Sequence, residues 1–169
     1  LLYCRRPEAL TRAFSIVHAY LSAPDGSETR NLMDYGLSLG RRFRSLKLWF
    51  VLRYFGREGL IARLREHVAM AAWLGEQIDA SPRWVRVAPT PLATVVFRYV
   101  DPELDGPAQD ARNMAILHAV NSTGSAYVIH TVLSGRVALR ASIGNLKTTM
   151  DHVADLWTLL EDAAADQAG

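Results

Sequence analysis

The most constraining feature of this sequence is a run of residues, 42–55, that predicts a helix with apolar side chains nearly all round. Gly56 follows at once and supplies a stop signal. A helix with no polar face is not stable in water, so we expect this one to be buried. Its partner is expected to be another domain if it is not the rest of this chain.

The remaining pattern predicts a mixture of helices and short strands. A stripe of apolar residues at helical spacing predicts a second helix over residues 58–80. The later elements are predicted as strands at 84–88 and 94–100, a helix at 106–121, strands at 126–133 and 136–143, and a helix at 149–164. Because strands and helices do not alternate strictly, we predict an α+β fold with a small antiparallel sheet covered by helices.

The segment near the amino-terminal end has a different character. Pro7 and Glu8 predict the first turn of a short helix that runs to about Phe14. Residues 15–37 then show little periodicity, and their middle is dense in turn residues. Long irregular segments in compact domains are commonly lids or binding loops, so we expect this one to be mobile and functional.

Composition and motifs limit the possible functions. No apolar run is long enough to cross a bilayer, and a net charge of +2 does not favour a polyanionic partner. The single cysteine, Cys4, predicts a reducing compartment, with the cytoplasm as the default. The five histidines lack metal-ligand spacing, so no metal site is expected. Phosphate-loop and Gly-x-Ser-x-Gly signatures are absent.

Basic and aromatic residues interleave at positions 41–47, RRFRSLK, which is a pattern also found in nucleic-acid-binding proteins. The run continues directly into the apolar helix, and an exposed phosphate groove would leave that helix in water. We therefore favour ion pairing of these cations at a domain or subunit contact, and we expect neither nucleic acid nor membrane as a partner.

Residues 39–53, LGRRFRSLKLWFVLR, followed by YFG at 54–56, resemble the group II pyridoxal-phosphate-dependent decarboxylases. Within that group the chain is most similar to aromatic-L-amino-acid and tyrosine decarboxylases. The resemblance continues through RLREH at 63–67, VVFR at 95–98 and VALR at 137–140, and it covers essentially the whole chain.

The resemblance implies a domain organisation. Residues 1–40 would be the tail of the large cofactor-binding domain of a fold-type I enzyme, with a mobile catalytic loop at about 15–37. Residues 41–80 would be buried linking helices, and residues 81–169 would be the carboxy-terminal small α+β domain. Since Leu1 opens inside an apolar run without an initiator Met, we expect the chain to be a piece of a longer protein.

The resemblance also implies pyridoxal 5'-phosphate as cofactor. The family's Schiff-base lysine lies in an Asn-Pro-His-Lys-Trp segment that this sequence does not contain. We therefore expect no cofactor-binding residue in this chain, and no catalysis by the chain alone. The implied partners are an amino-acid substrate, the amino-terminal portion of the same polypeptide and the second subunit of a homodimer.

Three site residues follow from the resemblance alone. Tyr20 matches the loop tyrosine that returns a proton to the substrate Cα after carbon dioxide leaves. Ser38 and Gly40 match the wall of the pocket for the substrate ring, and a serine there favours a phenolic ring such as that of tyrosine or dihydroxyphenylalanine. Met33 and Tyr35 depart from the family pattern, which bears on the substrate more than on the reaction.

Other functions remain open from the sequence. The same family includes enzymes for other amino acids, and aldehyde synthases that can carry phenylalanine at the position of Tyr20. An α+β interaction module without catalytic activity is the alternative from a different class.

Overall fold

The computed structural model describes residues 4–14, 35–36 and 42–167. The chain forms two compact units, Leu1–Tyr54 and Phe55–Gly169. Within the described residues the elements are α1 (Pro7–Phe14), α2 (Ser45–Ala80), β1 (Trp84–Arg86), β2 (Thr94–Tyr99), α3 (Gly106–Ser122), β3 (Ile129–Leu133), β4 (Arg136–Ser142) and α4 (Met150–Asp166). No helix among them is long and apolar enough to cross a membrane.

Helix α2 joins the two helices that the sequence predicts separately. The break falls at Gly56, whose φ of 64° and ψ of 177° interrupt the helical geometry. A positive φ is readily available only to glycine, so the predicted stop signal is present as a kink inside α2. The helix begins at Ser45, three residues later than predicted.

The second unit contains a four-stranded sheet in the order β1-β2-β4-β3, with every neighbouring pair antiparallel. The turn between β3 and β4 is made by Ser134 and Gly135, which have φ angles of 53° and 74°. Two successive positive φ values match the tight hairpin turns that suit the twist of the strands. The predicted α+β fold with a small antiparallel sheet is confirmed.

The core lies between one face of the sheet and the helices. Val95, Phe97 and Tyr99 alternate along β2 on this inner face, and all three are buried. They pack in one cluster with Leu74 of α2 and Leu160 of α4. Trp84 lies at the centre of an aromatic group, with ring centroids 5.7 Å from Phe97, 5.3 Å from Tyr99 and 5.8 Å from Trp157. This packing joins the sheet to α4.

A buried amide clamp fixes the end of β2 against α3. The Asn113 side chain is completely buried; its Oδ1 accepts from the Tyr99 backbone N–H at 2.8 Å, and its Nδ2 donates to the Tyr99 carbonyl at 2.9 Å. Gln109 donates to the same carbonyl and accepts from the Asp101 backbone N–H. These bonds satisfy the backbone where β2 leaves the sheet, which sets the position of α3.

Two local expectations require correction. The predicted strands at 84–88 and 126–133 are shorter, since β1 ends at Arg86 and β3 begins at Ile129. His130 lies in the middle of a predicted strand, where the sequence favours a hydrogen-bonded structural histidine over a catalytic one. The hydrogen-bonded role is wrong. His130 lies on the edge strand β3, is exposed, and has no hydrogen bond to its ring from the described residues.

Candidate functional site

The three site residues proposed from the sequence, Tyr20, Ser38 and Gly40, lie outside the described residues. The same holds for most of the loop expected at 15–37, of which only Tyr35 and Gly36 are described, both half-buried. Those predictions stay predictions, and the structure of the remaining residues supplies the surroundings from which the site is argued.

The first unit contains the apolar part of α2, and within the described residues this helix is uncovered. Its large apolar side chains, together with that of Phe43 just before it, are each at least two-fifths exposed: Phe43, Leu46, Leu48, Trp49, Phe50, Val51, Leu52 and Tyr54. The helix is thus not buried by the described residues of this chain, and its expected burial against another domain stays a prediction. An exposed apolar surface of this extent is unusual for a protein in water.

An open groove of about 480 Å³ runs along this surface, and Phe43, Leu46, Trp49 and Leu52 line it. Trp49 and Phe50 meet edge to face with centroids 5.1 Å apart. The Arg53 guanidinium lies 5.9 Å from the centre of the Trp49 ring, where the ring quadrupole attracts a cation. Apolar side chains dominate the lining, so the groove suits an apolar partner better than a phosphate.

In the second unit, arginines are distributed unevenly over the sheet. The four strands contain four arginines and no aspartate or glutamate. Arg86 pairs with Asp79 of α2, and Arg136 pairs with Asp110 of α3 at 3.1 Å. Arg98 and Arg140 have no ion pair within the described part of the chain.

Arg83 and Tyr99 form a pair at one end of the sheet. Arg83 donates from Nη1 to the Tyr99 hydroxyl at 2.9 Å. This hydrogen bond, with the charge interaction it brings, raises the pKa of Arg83 above its ordinary value. Because arginine is already charged throughout the accessible pH range, the role of this guanidinium is to hold the ring of Tyr99.

Comparison with known proteins decides the family. The profile of the "Pyridoxal-dependent decarboxylase conserved domain" matches residues 1–100, which is more than half of the chain. The chain belongs to this pyridoxal-dependent decarboxylase family. The family requires pyridoxal 5'-phosphate, and the resemblance seen in residues 39–53 is thereby confirmed.

Individual members of the decarboxylase family are similar over almost the whole chain. Tyrosine decarboxylase 2 of Narcissus pseudonarcissus is 34% identical over 97% of the chain, and phenylacetaldehyde synthase of Arabidopsis thaliana is 35% identical over 98%. The crystal structure of Oryza sativa TDC with PLP and tryptamine superposes with a TM-score of 0.84 at 32% identity, covering 94% of this chain and 34% of that one. The chain spans about a third of the length of these relatives.

The described residues do not fit the cofactor of the decarboxylase family. A pyridoxal cofactor takes a lysine for its imine and a charged partner for its ring nitrogen. The chain has two lysines, Lys47 and Lys147, and both are exposed. Neither lines the groove on α2, and the groove offers no carboxylate or cation. The described part of this chain therefore holds no site for the cofactor.

Sequence reasoning missed two features of this decarboxylase-family chain, the Asn113 clamp and the unpaired arginines of the sheet. A signal for the second was present, because the strands carry basic residues and no acidic ones. Asn113 gave only a weak signal, as a single amide within a predicted helix.

Proposed function

We propose that this chain is the carboxy-terminal part of a pyridoxal-phosphate-dependent decarboxylase that acts on an aromatic L-amino acid, tyrosine or dihydroxyphenylalanine in particular. The reaction removes the α-carboxylate and yields the amine and carbon dioxide. The observation that carries the proposal is the similarity to a tyrosine decarboxylase over 97% of the chain. The cytoplasm is the proposed compartment.

In this proposal the cofactor is bound by polypeptide outside residues 1–169. The exposed positions of Lys47 and Lys147 and the apolar lining of the groove support it. The cofactor supplies the electron sink for loss of the carboxylate. The chain alone is inactive, and its own residues bind, orient and protonate the substrate.

Tyr20 is the proposed catalytic residue of the chain. Its phenol donates a proton to the substrate Cα after carbon dioxide has left, and the loop that carries it keeps water out during that step. Protonation at Cα gives the amine. The sequence match between residues 13–21 and the family's catalytic loop supports this role.

Ser38 and Gly40 form part of the proposed wall around the substrate ring. The Ser38 hydroxyl can hydrogen bond to a phenolic hydroxyl, whereas it gains nothing from an unsubstituted ring. A pocket that hydrogen bonds to a substrate hydroxyl discriminates against analogues that lack it.

The uncovered apolar surface of α2 is proposed to lie against the amino-terminal portion of the same polypeptide and the second subunit of a homodimer. Eight large apolar side chains exposed on one short segment support an obligate contact. We expect protein truncated to residues 1–169 to self-associate through this surface, because burial of that area lowers the free energy.

Aldehyde synthesis is the second candidate, since the Arabidopsis relative of 35% identity is a phenylacetaldehyde synthase. The two reactions differ in the fate of the substrate Cα, which is protonated in one and oxidised by dioxygen, with release of hydrogen peroxide, in the other. The tyrosine at position 20 favours decarboxylation, because the aldehyde synthases can carry phenylalanine there.

The proposal is tested with full-length protein, pyridoxal phosphate and a panel of L-amino acids, namely tyrosine, dihydroxyphenylalanine, phenylalanine, tryptophan, glutamate and histidine. We expect carbon dioxide and tyramine from tyrosine in equal amounts. Aldehyde with hydrogen peroxide would establish the synthase, turnover of glutamate or histidine would overturn the aromatic substrate, and no turnover of any would favour an interaction module.

Replacement of Ser38 by alanine tests the substrate pocket in the same assay. We expect kcat/KM for tyrosine to fall about tenfold, which corresponds to one hydrogen bond of about 1.4 kcal/mol. Phenylalanine has no phenolic hydroxyl, so its kcat/KM serves as the matched control and should change little. An equal loss for both substrates would contradict the assigned hydrogen bond.

A further inference from the structure

We draw no further inference here: the strongest candidate, the open cavity of about 490 Å³ that residues 86–90 line at the end of β1, offers a guanidinium already paired with Asp79, and nothing among the described residues shows what would occupy it.

Discussion

Replacing Tyr20 by phenylalanine in the full-length protein is expected to lower the rate of amine formation by about 100- to 10,000-fold. That range is the usual contribution of a positioned general acid. Without the phenolic proton the substrate Cα is not protonated efficiently, so in air-saturated buffer we expect the product to shift from amine towards aldehyde, with dioxygen as the oxidant and hydrogen peroxide and ammonia as the other products. The measurement is kcat with tyrosine, with amine, aldehyde and carbon dioxide determined separately.

Tyr127→Phe is the matched control for this substitution. Tyr127 precedes β3, its side chain is 80% exposed, and no role in catalysis is assigned to it. We expect it to leave both rate and product unchanged. Full amine formation by the Tyr20→Phe protein would remove Tyr20 from the mechanism, and equal losses in both variants would point to a general effect on folding.

Replacing Trp84 by alanine is expected to have the largest effect on stability. It should lower the free energy of the unfolding that exposes the sheet by about 3–5 kcal/mol. Trp84 is 3% exposed and contacts three other aromatic rings. The lost free energy is the sum of two contributions, the transfer of a large apolar side chain out of water and the cost of the cavity that its removal leaves. Amide hydrogen exchange of β2 and β4 in the native protein measures it.

Leu92→Ala is the control for packing. Leu92 lies just before β2 and is 69% exposed, so the substitution should change the same exchange free energies by no more than about 0.5 kcal/mol. If exchange in the Trp84→Ala protein were as slow as in the control, the aromatic group would not be the centre of this core.

Most of the fold could be predicted because local signals and the global structure agree. The 3.6-residue stripe in α2, the Ser134-Gly135 turn and the alternation in β2 each identify an element within a few residues. Strand ends were less accurate. The Val87 backbone N–H still donates to the Val96 carbonyl, although β1 ends at Arg86. The backbone pairing therefore extends one residue beyond the end of the strand.

The site could be predicted only through resemblance. Nothing in the spacing of Tyr20, Ser38 or Gly40 distinguishes them from ordinary loop residues, because their roles depend on groups that other segments bring to them. The unpaired arginines of the sheet show the converse case. Arg98 and Arg140 stand 42 positions apart in sequence, and only the register of β2 with β4 places them on one face of the sheet as diagonal neighbours.

The apolar helix illustrates how one local pattern can have two structural outcomes. A helix with apolar side chains nearly all round is expected to be buried, yet residues 46–52 are exposed in this chain. The contradiction disappears if the partner surface is supplied by other polypeptide, which is also needed for the cofactor because the described residues hold no site for it. These two features thus have one explanation.

Reductive trapping of the cofactor tests that explanation most directly. Full-length protein loaded with pyridoxal phosphate is treated with borohydride, digested, and the modified lysine is located by mass spectrometry. We predict a pyridoxyl group on a lysine outside residues 1–169. A pyridoxyl group on Lys47 or Lys147, or on no lysine of the protein, would contradict the account.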